Sequence, residues 1–247
     1  MDRTEVSRIA HRRHPIAAPV APGRVRELLS WLDPPPGGRA VDLGCGEGEW
    51  LQELLVAHEH VSGVGVDLAV PDTAATAAAR RGLAQRVRFE QADAATWSDG
   101  LFDAVLCVGA SHAFGGLDPT LTAMRTHLRP GGQAVFGDGI WEVEPSGAAQ
   151  AALEAGPDEF PDLAQMVVRV RQHGYEPTFA HVSTLEEWDD YEWSWTGSLV
   201  RWALHEASTE DDRQQALTAA REHRDGWLVG YRGQLGFCTL VLHDIAS

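Results

Sequence analysis

The chain is poor in cysteine, and this shortage excludes metal-thiolate chemistry. Its 247 residues include only Cys45, Cys107 and Cys238, which lie too far apart in sequence for a metal site. Cys45 and Cys107 fall in or beside predicted core strands, which indicates buried, unreactive thiols. The sequence therefore predicts no metal site and a reducing, cytoplasmic setting.

Basic residues are also scarce. Only 20 basic residues stand against 36 acidic residues, so the formal net charge is −16. Because nucleic acid and anionic lipid are bound by clustered basic side chains, this balance argues against both partners. No apolar run approaches the roughly 20 residues of a membrane span. Residues 1–15 also lack the apolar core of a signal peptide.

What the chain has is apolar content, 44% of its residues, which is enough for a substantial core. Its length suits one α/β domain with additions. Residues 1–22 are polar and then punctuated by prolines, and two interpretations of them stay open. They form either a solvated arm or a lid over a cofactor, and the second interpretation places His14 or Arg13 near the substrate. Residues 23–247 are expected to form the main domain.

The chain is organised around the stretch VDLGCGEGEW, residues 41–50, which indicates a buried strand, a glycine-rich turn and a helix. A side chain in this turn would block a positive φ or hold a ligand away from the backbone. The turn therefore presents backbone N–H groups at a helix N-terminus, which suits a polar or anionic ligand group. The glycines are Gly44, Gly46 and Gly48. Glu49 stands where the dinucleotide-binding fingerprint needs a third glycine, so the spacing argues against a nicotinamide cofactor.

The motif VDLGCGEG resembles the first motif of class I S-adenosylmethionine-dependent methyltransferases. Further landmarks of that family follow in order, over about residues 37–140. Asp67 ends the second predicted strand, Asp93 lies in QADA after the third, and LRPGG precedes the fifth. The resemblance implies S-adenosyl-L-methionine as the cofactor. Ala92, where this family usually has glycine, is a mild departure.

The residues expected to hold the cofactor lie at the ends of successive strands. They are Asp42, Gly44, Cys45, Gly46, Asp67, Leu68, Asp93, Ala94 and Val108. Asp67 also follows the glycines by about 20 residues, where nucleotide-binding folds place a carboxylate on the ribose hydroxyls. The resemblance implies that Asp93 bonds the adenine amino group. Either aspartate has an alternative interpretation as a cap of the following helix or loop.

The expected fold class is α/β, a doubly wound, mostly parallel, seven-stranded sheet of the Rossmann-like methyltransferase type with a helical cap. Predicted strands fall at residues 40–43, 61–66, 87–90, 102–107, 133–136, 177–182 and 237–242. The family resemblance implies that the last strand is antiparallel to the sixth. Helical cap insertions are expected at about 141–175 and 184–230, the second opened by a capping box of Thr184 and Glu187.

The methyl transfer implied by the resemblance requires few catalytic groups from the protein. A sulfonium methyl is already activated, so positioning the acceptor against it can supply most of the catalysis. A base is needed only when the acceptor must lose a proton. His112 is the candidate, because it follows the fourth strand and because histidine is the side chain best suited to act as a general base near neutral pH. The alternative is that His112 only shapes the pocket or orients the acceptor.

Aromatic residues crowd the last third of the chain, and they have two interpretations. About half are expected to pack the helical cap. Others are expected to line an organic substrate pocket. The proposed substrate-binding residues are His14, Trp141, Tyr191 and Trp193.

The sequence predicts a methyltransferase that acts on an oxygen or nitrogen atom of a small organic molecule, as a monomer or homodimer. The Asn/Asp-Pro-Pro-Tyr/Phe motif is absent at Val108 to Ala113, which argues against DNA adenine and protein glutamine as substrates. The whole chain resembles an uncharacterised actinobacterial group of small-molecule methyltransferases. The alternatives are a non-catalytic protein of the same fold that binds the cofactor or a metabolite, and a nicotinamide-dependent oxidoreductase.

Overall fold

The computed structural model describes residues 1–245, which form two compact units. The sheet unit consists of residues 21–138, 163–182 and 237–245. The helical unit consists of Met1–Val20, Gly139–Asp162 and Ser183–Gly236. Each unit is therefore assembled from segments that are distant in sequence.

One seven-stranded sheet has the strand order β3-β2-β1-β4-β5-β7-β6. The strands are β1 Arg39–Leu43, β2 Ser62–Asp67, β3 Val87–Gln91, β4 Phe102–Val108, β5 Leu128–Trp141, β6 Tyr175–Val182 and β7 Leu235–Asp244. The first five strands pair in parallel with one another, and β7 is antiparallel to β6. This order confirms the predicted fold class.

Nine α-helices lie in the described residues. They are α1 Arg3–Ala10, α2 Pro22–Leu29, α3 Glu49–Ala57, α4 Asp72–Arg80, α5 Leu117–His127, α6 Gly147–Leu153, α7 Leu163–Gln172, α8 Leu185–His205 and α9 Glu210–Asp225. No helix within residues 1–245 combines the length and the apolar character needed to cross a membrane.

The structure places the predicted turn LRPGG inside strand β5, which is longer than the sequence indicated. Phe102 pairs with Leu128, whereas Ala104, two residues later, pairs with Gln133. The extra residues of β5 bulge out of the ladder, helped by Gly131 at φ +73°. Glycine and proline thus interrupt the pairing here without ending the strand.

Helix α7 belongs to the sheet unit, although the sequence placed it within a cap insertion at 141–175. Met166 and Val170 are fully buried. Arg169 forms a bidentate ion pair with Asp118 of α5, at 3.1 and 2.6 Å. These contacts tie the helix to the sheet unit, and sequence adjacency alone could not reveal them.

The N-terminal segment is a packed part of the helical unit and not a solvated arm. Ile9 and Ala10 of α1 are fully buried in one cluster with residues of α8 and α9. Farther along, Ala18 and Val20 are also buried. The apolar side chains among the charges of this segment explain the difference, because together they supply one buried face.

Two features of the C-terminal helices matter for the sites below. Helix α8 begins at the predicted capping box, in which Thr184 and Glu187 bond reciprocally, and it runs unbroken for 21 residues. Helix α9, the last α-helix of the predicted cap insertion at 184–230, ends at Asp225, and the chain continues as a π-helix over Gly226–Tyr231. π-Helices are rare and often mark functional sites.

Candidate functional site

The carboxyl ends of four neighbouring parallel strands form one edge of the sheet unit. Strand β1 connects to β2 and β3 on one side, and β4 lies on its other side, so the order reverses between β1 and β4. Ligands of open α/β sheets bind at such a reversal. The structure brings together at this edge all the predicted cofactor residues, namely Asp42, Gly44, Cys45, Gly46, Asp67, Leu68, Asp93, Ala94 and Val108.

The three glycines of the turn after β1 have different physical roles. All three have positive φ, which L side chains rarely adopt. A Cβ on Gly44 would lie 2.4 Å from the Cβ of Ala110, and one on Gly48 would lie 2.3 Å from the ring of Phe89. A Cβ on Gly46 would meet no atom within 4 Å. Packing therefore requires two of the glycines, whereas Gly46 borders open space.

Asp67 is tied to the glycine turn. Its Oδ2 accepts a hydrogen bond from the backbone N–H of Gly46 at 2.9 Å, and its Oδ1 accepts one from Ala69 at 3.0 Å. A carboxylate has about four lone-pair sites, so both oxygens retain capacity for hydroxyl donors. These bonds fix the orientation of the carboxylate at the ligand edge.

Asp42 is a buried carboxyl group with an unused acceptor. It is 3% exposed, and its Oδ2 has no hydrogen-bond partner among residues 1–245. Burial raises the pKa of Asp42 to about 7, and the nearby negative charge of Asp67 acts in the same direction. An unpaired buried acceptor costs free energy, so this site favours a ligand with a donor or a positive charge.

Four further residues at this edge are Cys45, Asp93, Ala94 and Leu68. Burial raises the pKa of the Cys45 thiol, which agrees with an unreactive side chain. Asp93 Oδ1 accepts a hydrogen bond from the backbone N–H of Ala95 at 2.9 Å, so the aspartate does cap its own loop. Its neighbour Ala94 is buried, whereas Leu68 is 65% exposed and leaves an apolar surface beside Asp67.

His112 lies in a short 3₁₀ helix, Ser111–Phe114, that follows β4. Its side chain is exposed, whereas Val108 at the end of the strand is partly buried. The structure therefore places His112 on the predicted edge of the sheet. No hydrogen bond within residues 1–245 orients its imidazole.

The predicted substrate-binding residues all lie in the helical unit, and two of them meet. The rings of His14 and Tyr191 pack edge to face, 5.4 Å apart, and burial lowers the pKa of His14. Tyr191 donates its hydroxyl hydrogen to Nε2 of His11 at 3.0 Å. The remaining two have other neighbours: Trp141 packs on Phe160, and Trp193 packs on Trp227.

Sequence reasoning missed a buried polar cluster in the helical unit. Glu192 of α8 is 1% exposed and accepts hydrogen bonds from the Tyr231 hydroxyl at 2.6 Å and from His223 Nε2 at 2.7 Å. The ring of His223 stacks on Trp195 at 3.8 Å. The spacing of Trp188 and Glu192, four residues apart on one helix face, was the available signal.

Comparison with known proteins identifies the family. Residues 40–132 match the family model described as a methyltransferase domain. The chain is 30% identical to the uncharacterized protein YjhP of Escherichia coli over 221 residues, 86% of each chain.

Two solved methyltransferase structures in complex with S-adenosyl-L-homocysteine are similar. One, from Geobacter sulfurreducens, has a TM-score of 0.87 and 26% identity, and the match covers 96% of this chain and 97% of that one. The other, from Thiobacillus denitrificans, has a TM-score of 0.84 and 28% identity, with 98% of both chains covered.

The chain belongs to the class I S-adenosylmethionine-dependent methyltransferase family. It is an enzyme of that family, and S-adenosyl-L-methionine is its cofactor. The residues present fit this cofactor: open space at Gly46 allows close approach to the backbone, and Asp42 offers a buried acceptor to a cationic ligand.

Proposed function

We propose that this methyltransferase transfers the methyl group to an oxygen or nitrogen atom of a small organic molecule bound by the helical unit. The observation that carries the proposal is the aromatic character of that unit combined with unused polar atoms. Trp141 Nε1, Trp188 Nε1 and His14 Nδ1 are buried and have no hydrogen-bond partner among residues 1–245. Apolar walls with a few convergent polar groups are typical of small-molecule sites.

We infer distinct roles for the carboxylates of the sheet unit. Asp67 would accept hydrogen bonds from the ribose hydroxyls, and Asp93 would accept one from the adenine amino group. Asp42 would hold a cationic part of the cofactor with its unpartnered Oδ2. S-adenosyl-L-methionine supplies an activated methyl group when it is bound. The protein's task is then orientation and exclusion of water.

For acceptors that must lose a proton, we infer that His112 accepts it. Replacing His112 by Ala or Gln should then lower kcat by about 10²–10⁴ while cofactor affinity stays nearly unchanged. The acid limb of the pH–rate profile should also disappear. If His112→Gln keeps near wild-type turnover and an unshifted profile, His112 only orients the acceptor.

The proposal is tested by incubating the protein with methyl-labelled S-adenosyl-L-methionine and a metabolite extract. We expect label in a molecule small enough to pass an ultrafiltration membrane, bound through oxygen or nitrogen. Asp67→Ala protein is the control for cofactor-dependent transfer. Label found only in protein or nucleic acid, or on carbon or sulfur, would contradict the proposal. Tight cofactor binding with no transfer from any extract fraction would favour a non-catalytic binding protein.

A further inference from the structure

A cleft lined by arginines lies at the amino-terminal ends of β1, β2 and β3, away from the glycine turn. It is a cavity of about 170 Å³ whose polar lining includes Arg39, Ser62, Gln85, Arg86 and Arg88. One water requires roughly 10–15 Å³ by the same measure, so the cleft has room for a small molecule. We call it the arginine cleft.

The topology explains why this part of the sheet is open. Arg39 pairs with Ser62, and Val64 pairs with Arg88, so these side chains share one face of the sheet. Residues 92–101, which connect β3 to β4, form only turns and bends. The connection thus supplies no helix to cover the face.

The arginines are held in place by protein groups. Arg86 donates from Nη1 to the backbone carbonyls of Leu55, His58 and Val61, at 2.9 to 3.2 Å. Asp99 Oδ2 lies 2.6 Å from Nη2 of both Arg39 and Arg88.

Donors remain free after these bonds are formed. Within residues 1–245, Nε and Nη1 of Arg39, Nε and Nη2 of Arg86, and Nη1 of Arg88 make no hydrogen bond. Among the residues that the structure describes, Asp99 and Glu90 are the only acidic side chains bonded to the three guanidinium groups. Three cations thus face two anions, which leaves local positive charge in a protein whose net charge is −16.

We propose that the arginine cleft binds a phosphate group, either inorganic phosphate or the phosphate of a small metabolite. Planar guanidinium groups bind phosphate oxygens with paired hydrogen bonds, and the Ser62 hydroxyl and Gln85 amide add neutral donors. Arginine stems also cover apolar sheet surface, as Arg39 does over Phe102 at 4.4 Å. That packing explains why the aliphatic parts of the arginines lie against the sheet. It does not explain why several of their N–H groups have no protein acceptor.

The test is an NMR titration of the ¹⁵N-labelled protein saturated with S-adenosyl-L-homocysteine, which keeps phosphate from the glycine turn. Inorganic phosphate and glycerol 3-phosphate are added at constant ionic strength, with chloride and acetate as controls. We expect saturable shifts at the amides of Ser62, Gln85 and Val87. Stronger binding of glycerol 3-phosphate would indicate a metabolite as the ligand, and equal binding would indicate phosphate itself.

A matched pair of variants completes the test. Arg88→Gln removes one guanidinium from the cleft, and we expect it to weaken phosphate binding by about fivefold or more. Arg171→Gln removes an exposed arginine that is paired with Glu176 outside the cleft, and it should change binding by less than about twofold. Shifts that do not saturate, or equal weakening in both variants, would overturn the proposal. Neither result would affect the conclusion that the chain is a methyltransferase.

Discussion

The sheet unit and the helical unit assemble their polar sites in opposite ways. In the sheet unit, three aspartates lie at or near the carboxyl ends of β1, β2 and β3: Asp42 is the fourth residue of β1, Asp67 ends β2, and Asp93 follows β3 by two residues. In the helical unit, Glu192 lies in the middle of α8, and its partners His223 and Tyr231 come from α9 and the π-helix. A strand end places its residue by topology, whereas a site between helices depends on how the helices pack.

The two sites also differ in how they satisfy buried charge. Among residues 1–245, Asp42 keeps one oxygen without a partner, and burial raises its pKa, so this oxygen is available to a hydrogen-bond donor. Glu192 has hydrogen bonds to both oxygens. The first arrangement is typical of a binding site and the second of a structural network. The predictions below test this difference.

The largest effect is expected from Glu192→Ala in the helical unit. The change leaves the Tyr231 hydroxyl and His223 Nε2 without their acceptor and opens a cavity. We expect the free energy of unfolding to fall by about 3–5 kcal/mol. Chemical denaturation followed by tryptophan fluorescence measures this, because six of the nine tryptophans lie in the helical unit.

The matched control for this experiment is Glu186→Ala, an exposed glutamate in the first turn of the same helix. It should cost less than about 1 kcal/mol. Cofactor affinity of folded Glu192→Ala protein should stay within about threefold of the wild type. A large loss of affinity would show that the two sites are coupled, and the contrast between the units would fail.

Asp67→Ala should act on binding more than on folding. Hydrogen bonds to a charged acceptor are worth about 1.5–3 kcal/mol each, so losing two ribose contacts should weaken S-adenosyl-L-homocysteine binding by roughly 100-fold or more. Calorimetry measures this affinity. Asp72→Ala, in the first turn of α4, is the control and should bind normally. Unchanged affinity in Asp67→Ala protein would remove Asp67 from the ribose role.

Asp42→Asn should move stability and cofactor affinity in opposite directions. The folded-state pKa of about 7 exceeds the ordinary value of 3.8, so folded protein holds this proton between those values. The contribution of Asp42 to stability therefore falls as pH rises from about 4 to 7, and it is level above that. The amide does not ionise, so we expect Asp42→Asn protein to gain about 1–3 kcal/mol at pH 8.

Affinity for S-adenosyl-L-methionine should fall in the same Asp42→Asn protein, because the amide lacks the negative charge. In the wild type, affinity should rise with pH through about 7 as Asp42 ionises. Denaturation and calorimetry at pH 5 and pH 8 check both expectations. A variant that loses stability at pH 8 would show that Asp42 is structural.

The smallest effect is expected from Leu68→Ala. Leu68 is 65% exposed, so its loss should leave stability unchanged within about 0.5 kcal/mol. If it packs on the adenine ring, cofactor affinity should fall by about threefold to tenfold. Val168→Ala on α7, 52% exposed, is the matched control. Equal affinities in the two variants would argue that Leu68 is ordinary surface.

The sheet unit could be predicted closely because its signals are local. Alternation of apolar strands and helical periods located the strands and helices, and the family resemblance implied that they form a doubly wound sheet. The glycine turn indicated which end of the strands faces a ligand. Even so, the sequence could not separate the three glycines. Only the packing of Ala110 and Phe89 shows that Gly44 and Gly48 serve the fold, whereas Gly46 faces open space.

For the helical unit, the sequence predicted the helices but not the contacts between them. The capping box of Thr184 and Glu187 located the start of α8, because both hydrogen bonds join residues three apart. Partners such as Glu192 and Tyr231 are 39 residues apart, and no local pattern links them. The π-helix widens the turn that carries Tyr231, and its onset after Asp225 has no sequence signal that we can identify.

By itself, the sequence located the strands, their carboxyl ends and the glycine turn, because short-range periodicity and turn geometry specify them. Its resemblance to a known family then implied the fold class and the cofactor. The tertiary structure alone decided that residues 1–20 belong to the helical core and that α7 belongs with the sheet. It also decided which polar groups are left unpaired. Burial of polar groups depends on contacts between distant segments, so those decisions could not be made from local sequence.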